Sequence, residues 1–505
     1  MKVILAGYNI DSSVIDELKK NSPSLRNVTP ETMSAAYARI SRDPRSVDVL
    51  RAVARSEVER ARRSNRNIIF KMGHHSVAEH AIFNFDIIGV SRLAIEEIEK
   101  FRLCSFTEKS QRYVKLEDEF LLPEEVKKAG KQTSFLETIK IQNALYHNLY
   151  KKLKPYFFER YPTLAANPKK HSILTGWAKE DARYCVSLAT LGQLGMTANA
   201  RNLEFLIRRF ASNDLAEIRA FKQKVYRLAK VVAPSIILFT EANEYDARTY
   251  KNLGEAAAAL SMLKRSNGDR KTKSGKSKGG GECVQLVDYT ADGDTRLAAT
   301  LLHTASRHPY RDCLKKAKSL QREQKKTLYK TAFEHMEFFD AVLREFEYVD
   351  LTYDLEISAT CFAQLKRHRM ATLTAQPYDP DLGVTVPPSI KEIGALRDFF
   401  DVIGQTEDCY RMLKNTLKAG ADYLLTNAHK RRVLMKINAR ELYHMARLRE
   451  DITAQWDIRQ IVGRMSQEAR KVMPLTFLLI GAKDSYPEIY EKVFGKPPKL
   501  NPPKL

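Results

Sequence analysis

The chain has 505 residues, 44% hydrophobic and 29% charged, and its 84 Lys and Arg against 61 Asp and Glu give a formal net charge of +23. These values describe a globular protein of two or three domains with a basic bias and exclude a disulfide-stapled miniature scaffold. The six cysteines, Cys104, Cys185, Cys283, Cys313, Cys361 and Cys409, contain no C-x-x-C pair, which argues against a zinc ribbon, a thioredoxin-type site or a secreted framework. The apolar run after Met1 is too short for a signal sequence, and no stretch approaches the roughly 18 apolar residues of a membrane span. The expectation is a cytoplasmic protein with no membrane partner.

In chain order, residues 1–23 read as a strand and then a helix. A second helix opens at Thr29-Pro30-Glu31, a capping residue followed by proline in the first turn, and ends near Ser41-Arg42-Asp43-Pro44. Long polar helices follow. Phe83, Phe85 and Ile87 then alternate with Asn84 and Asp86, the period of a half-buried strand, and the next helix delivers Lys100-Phe101-Arg102. Asn199-Ala200-Arg201 opens another helix, and an amphipathic helix carrying Ile218, Phe221, Val225, Leu228 and Val232 closes the half before Pro234.

From Lys264 to Gly281 the sequence holds seven cations, one anion and no apolar residue, so it cannot bury a core. It is expected to be a disordered basic linker, and nucleic acid is expected as a partner only through it.

Beyond the linker the pattern repeats. A helix with Asp294 as its expected cap ends near Ser306-Arg307-His308-Pro309. Val349, Leu351, Tyr353, Leu355 and Ile357 alternate with Asp350, Thr352, Asp354 and Glu356. Arg367-His368-Arg369 takes the place of Lys100-Phe101-Arg102, and Asn438-Ala439-Arg440 that of Asn199-Ala200-Arg201. Ile458, Ile461, Val462, Met465, Ala469 and Val472 form the closing helix before Pro474. The economical reading is α+β: two tandem copies of one domain, 1–255 and 283–505, joined by a linker over 256–282.

The densest polar segment of the first copy runs from Lys100 to Tyr113 and includes Glu108, Ser110 and Arg112; the second has Arg367 to Asp379 in its place. Together they resemble the signature R-H-R-x-x-S-x-N-E-x-S-x-R-Y of the flavin-dependent thymidylate synthases. The turn Gly73-His74-His75-Ser76-Val77-Ala78-Glu79-His80, the Asn-Ala-Arg helices and Ala454 to Ile458 extend the resemblance over nearly the whole chain.

The resemblance implies an antiparallel sheet packed with long helices in each copy. It implies FAD as cofactor, NADPH and methylenetetrahydrofolate as cosubstrates, and reductive methylation of dUMP to dTMP. It places Ser110, Arg367 and His74 in catalytic roles. Glu108, Ser110, Arg112, Gln364, Arg367, Arg432 and Arg449 fall at dUMP positions, and Ser76, Glu79, Arg367, His368, Arg369, Asn438 and Arg440 at FAD positions. No metal is implied, and the spacing of His74, His75, Glu79 and His80 matches no zinc helix motif. Arginine forks suit such a site, because they grip two phosphate oxygens at once and keep their charge.

Neither copy holds the whole signature. The first keeps Glu108, Ser110, Arg112 and the histidine turn but has Lys100 and Phe101 for Arg and His, with Gln193 and Arg209 for Arg432 and Arg449. The second keeps Gln364, Arg367, His368, Arg369, Arg432 and Arg449 but has Ala375, Pro377 and Asp379 for Glu, Ser and Arg, and Arg344 to Tyr348 for the turn. Because enzymes of this family share sites between subunits of a homotetramer, the expectation is complementary copies in a homodimer. The alternatives are a related enzyme acting on another pyrimidine nucleotide and a non-catalytic nucleotide- or nucleic-acid-binding relative.

Overall fold

The alternating apolar residues build two antiparallel sheets of the same design. The computed structural model describes residues 1–11, 29–39, 43–71, 74–260, 283–337 and 339–499. In the first sheet β1 (Lys2–Tyr8), β2 (Ile82–Ser91), β3 (Ser105–Glu108) and β4 (Leu191–Asn199) lie in the order β1-β2-β4-β3. In the second, β5 (Val284–Tyr289), β6 (Asp350–Ser358), β7 (Thr372–Ala375) and β8 (Lys430–Asn438) lie in the order β5-β6-β8-β7. Phe83, Phe85 and Ile87 are buried, with Met196 opposite Phe85. Leu351, Tyr353, Leu355 and Ile357 are buried in the same way, with Met435 opposite Tyr353. Two tandem α+β copies are therefore present.

The edge strands β1 and β5 carry an irregularity at matching points, between Leu5 and Gly7 and between Leu286 and Asp288. In β2 the register also shifts between Ile88 and Val90, where Gly89 has φ +67°. That conformation is open to glycine and strained for a side chain.

The closing helices, Ala216–Val232 and Trp456–Val472, bury their predicted apolar stripes against the cores. One polar contact fixes each of them. The Oγ of Ser91 caps the helix Arg92–Ile98 by accepting from the Ala94 amide, and it donates to Oε2 of Glu217 at 2.5 Å, while the Ser91 amide donates to Oε1 at 2.8 Å. In the second copy Ser358 caps Ala359–Leu365 through the Cys361 amide and donates to Asp457 at 2.6 Å. Serine and carboxylate are buried in both copies.

The compact units do not follow the sequence repeat. One comprises Met1–Ser274 and Ser389–Leu425, the other Gly275–Pro388 and Thr426–Leu505. In the first unit the second-copy helix Leu396–Leu417 packs along Gln132–Arg160. Buried Gln142 donates from Nε2 to Thr406 Oγ1 and to the Leu424 carbonyl, both at 2.9 Å.

Some expectations are corrected. Asp294 does not cap its helix: the helix is Gly293–Thr304, Asp292 sits at the cap with φ +52°, and the Asp294 carboxylate accepts from the amides of Leu475 and Thr476. Glu31 makes the matching contact in the first copy, accepting from the Ser235 amide at 2.6 Å. Residues 256–259 belong to the helix Glu244–Ala259 rather than to a linker; from 261 to 282 the predicted linker lies outside the described residues, as do most of 1–23 after the strand, the end of the helix at Ser41, and Gly73. Among the described residues no helix is long and apolar enough to cross a membrane.

The buried serines carry a stability cost when removed. Ser91→Ala takes away a helix cap and two-point support of a buried carboxylate, so it should destabilise the chain by about 1–3 kcal/mol, read as a lower urea midpoint. Ser358→Ala should do the same in its copy.

Candidate active site

In the first unit, β3 and the turn after it present Glu108 and Ser110 to a cavity of about 220 Å³ whose wall also includes Arg92, Lys115, Glu119 and Gly192. The Ser110 hydroxyl accepts from the Arg112 amide at 3.1 Å. Arg112 is engaged through Nε by Glu180 at 2.5 Å, and its guanidinium lies over Tyr113. Behind Glu108 stands a buried guanidinium, Arg92, whose Nη1 donates to Glu108 Oε1 at 2.6 Å and whose Nη2 lies 3.7 Å from buried Glu96.

A second cavity in this unit, of about 520 Å³, is lined by His75, Arg201, Phe205, Arg208 and Phe239. Exposed Glu79 accepts from Arg201 at 2.6 Å; His74 and Ser76 are exposed on the same turn, and neither lines the cavity that holds Ser110.

In the second unit the matching elements hold a different set. His368 is buried, its Nε2 accepts from Arg449 Nε at 3.0 Å, and its Nδ1 faces Glu441 at 3.3 Å. Burial holds the imidazole below its ordinary pKa, against the opposing pull of Glu441. Arg449 also reaches the Gln364 carbonyl, and Gln364 Nε2 donates to Gln455 at 3.2 Å. Arg367 is half-buried and Arg369 exposed at the end of the same helix. Arg432 stands opposite Glu356 in the sheet, at 3.4 Å.

The two Asn-Ala-Arg segments are alike. Asn199 and Asn438 cap their helices through the amides of Asn202 and Glu441. Arg440 pairs with Glu347 at 3.0 Å as Arg201 does with Glu79, and each carboxylate sits in a 3-10 turn, His75–His80 or Arg344–Tyr348. The turn thus persists in both copies, correcting the expectation that only the first retains it; what the second has lost is the histidines. Asn438 and Arg440, expected at the flavin, are engaged here in a cap and an ion pair.

Aligning the two copies by their shared motifs shows that polar groups are exchanged as sets. His368, His444 and Arg449 correspond to Phe101, Phe205 and Phe210: the His368–His444 rings lie 5.9 Å apart and edge-on, the Phe101–Phe205 rings 5.7 Å apart and edge-on, and Phe101 meets Phe210 at 5.1 Å. Phe210, not Arg209, is therefore the counterpart of Arg449; Arg209 pairs with Asp246. In the opposite sense, Arg92, Glu96 and Glu108 correspond to Ala359, Ala363 and Ala375. Physics favours replacement in sets, because one survivor of a buried ion cluster is an uncompensated charge.

The family model described as thymidylate synthase complementing protein matches residues 25–235 and, a second time, residues 285–475. The chain belongs to this family.

It is a tandem duplicated member. It is similar to a UPF0159 protein of Chlamydia muridarum, 26% identical over 83% of this chain and 80% of that protein. It is also similar to a UPF0159 protein of Thermoplasma acidophilum, 23% identical over 88% of this chain and 92% of that one. A flavin-dependent thymidylate synthase of Clostridium tetani is 28% identical over 42% of this chain and 82% of its own length, the span of one copy. Arg92, Glu96, Glu180 and Glu441, which flank the expected residues, are not among the candidates read from the sequence. Arg92 was detectable, since it directly follows the strand and has alanine at its repeat position; Glu180 lies 68 residues from Arg112 and gave no local signal.

Arg92→Ala leaves two carboxylates without their shared cation and should destabilise the chain by about 3–5 kcal/mol. The triple change Arg92→Ala, Glu96→Ala, Glu108→Ala copies the second repeat and should recover much of that loss in denaturant unfolding, a non-additive outcome.

Proposed function

We propose that the chain is a flavin-dependent thymidylate synthase that converts dUMP to dTMP with methylenetetrahydrofolate and NADPH, and that each turnover uses residues of both copies. The observation that carries this reading is the reciprocal replacement: each of two polar clusters is intact in one copy and exchanged as a set in the other. Drift at random would scatter losses over both copies.

The donor sets fit the ligands. Arg367, Arg369 and Arg449 gather around one helix end in the second unit, an arrangement suited to the phosphates of FAD and dUMP. Arg432 adds a cation already balanced by Glu356. The flavin supplies the redox chemistry when bound.

The chain's own residues orient and stabilise. Ser110 Oγ, which accepts the Arg112 amide, keeps its proton for a uracil or phosphate oxygen, and Arg112 is held at a fixed angle by Glu180. Fixed donors beside the uracil carbonyls stabilise negative charge as C5 becomes nucleophilic, so no covalent enzyme nucleophile is needed. Glu108, held by Arg92, offers one carboxylate in the same cavity. His74 is assigned to the folate side. A homodimer of such chains carries complete sets of both kinds.

The test is conversion of dUMP to dTMP by the full chain with FAD, NADPH and methylenetetrahydrofolate, followed by mass. Ser110→Ala and Arg367→Ala should each lower the rate by about a hundredfold or more, the loss typical of a transition-state donor. Bound flavin without dTMP would shift the assignment to another pyrimidine nucleotide, and an Arg367→Ala protein as active as the parent would end the two-copy reading.

A further inference from the structure

The second of three residues in Arg367-His368-Arg369 cannot reach a ligand as packed, because its ring is 3% exposed. Its two nitrogens are both spoken for. Arg449 Nε can only donate, so the Nε2 it meets at 3.0 Å must be bare, and the single ring proton sits on Nδ1, facing Glu441 Oε1 at 3.3 Å. Glu441 is itself placed by the Asn438 cap, which takes its backbone amide at 2.9 Å. On its other side Arg449 reaches the Gln364 carbonyl at 3.5 Å. The result is a chain of contacts from the helix cap through Glu441 and His368 to the guanidinium.

We propose that Glu441 and His368 are positioning residues that fix Arg449 for an anionic nucleotide, with the neutral Nδ1–H imidazole as the connecting element. This deepens the thymidylate synthase reading and rests on it for the identity of the nucleotide. A guanidinium tethered along its Nε edge loses little rotamer freedom when it grips a phosphate, and the tether works only while the imidazole stays neutral, since an imidazolium would turn a second donor toward Arg449. The groups facing the ring are Glu441, His444 and Arg449; burial, the strongest influence, and the charge of Arg449 favour the neutral form. The first copy supplies the natural control. There Phe101, Phe205 and Phe210 keep the packing geometry without one hydrogen-bonding side chain, and Asn202, at the position of Glu441, turns back to bond Asn199 at 2.8 Å. Phenylalanine thus fits the site, and loss of the imidazole coincides with loss of the arginine.

The experiment measures binding of radiolabelled dUMP to the full-length protein by equilibrium dialysis. His368→Phe and Glu441→Ala should each weaken binding by about tenfold or more, the worth of a charge-assisted contact. Glu441→Gln, whose amide oxygen still accepts from Nδ1, should stay close to the parent. His368→Phe added to Arg449→Ala should cost nothing further, because a positioning residue acts only through the group it positions. Full additivity of those two changes, or unaltered binding by His368→Phe where Arg449→Ala fails, overturns the proposal. Nitrogen-15 spectra of the imidazole decide the geometry without dUMP: a neutral Nδ1–H ring at about pH 6.5, where an ordinary histidine is half protonated, supports it, and an imidazolium or an Nε2–H tautomer overturns it. A parent that fails to bind dUMP yet shows the neutral ring sinks the thymidylate synthase reading and leaves the tether standing.

Discussion

A serine at the end of the central strand of each sheet must satisfy two demands in one buried place. It stops the strand and starts a helix, so its hydroxyl takes an orphan amide of the first turn, and it holds the carboxylate that opens the closing helix. With Glu217 buried, its carboxyl is pushed above the ordinary range, and the donors from Ser91 and Tyr423 offset that cost. Part of the candidate site follows directly from this corner. Arg92 is the next residue after Ser91, and Gln364, Arg367 and His368 follow from the helix that Ser358 begins.

A second constraint governs what each copy could lose. Charges taken out of water are tolerated in satisfied groups and punished singly. The Arg92, Glu96 and Glu108 cluster is therefore present whole in one copy and absent whole in the other, where three alanines stand. His368, His444 and Arg449 of the second copy are matched in the first by three phenylalanines, Phe101 and Phe205 meeting edge-on at nearly the ring separation of His368 and His444. Other polar contacts are kept in both copies. Ser91 with Glu217 has its match in Ser358 with Asp457, Glu31 at Ser235 in Asp294 at Thr476, and Arg201 with Glu79 in Arg440 with Glu347.

The repeat itself binds the two halves of the sequence into shared structure. Ser389–Leu425 belongs to the second copy by sequence and to the first compact unit by packing, where Tyr423 reaches Glu217 and Ser389 donates to Asp181. Such ties make the long helix of the second copy part of the frame that holds Glu217 and, through Ser91, the first-copy cluster.

The sheets, the closing helices and the pairing of motifs could be read from the chain alone, because period-two burial, helical stripes and capping residues are local and leave their mark at fixed spacing. So could the residues Glu108, Ser110, Arg112, Gln364, Arg367, Arg432 and Arg449 as members of two incomplete signatures. What local pattern could not supply was partnership. Asp294 has the composition of a cap, yet its carboxylate reaches amides 181 and 182 residues away. Arg209 has the chemistry expected opposite Arg449, yet a one-residue difference in helical phase gives that place to Phe210. His368 sits in a motif expected to bind a ligand, yet it is buried between Glu441 and Arg449. The sequence by itself determined the duplicated α+β design, the family and the reciprocal distribution of polar residues. Only the tertiary structure decided which of those residues face a cavity and which hold another side chain in place, because burial and side-chain direction depend on neighbours distant in the chain.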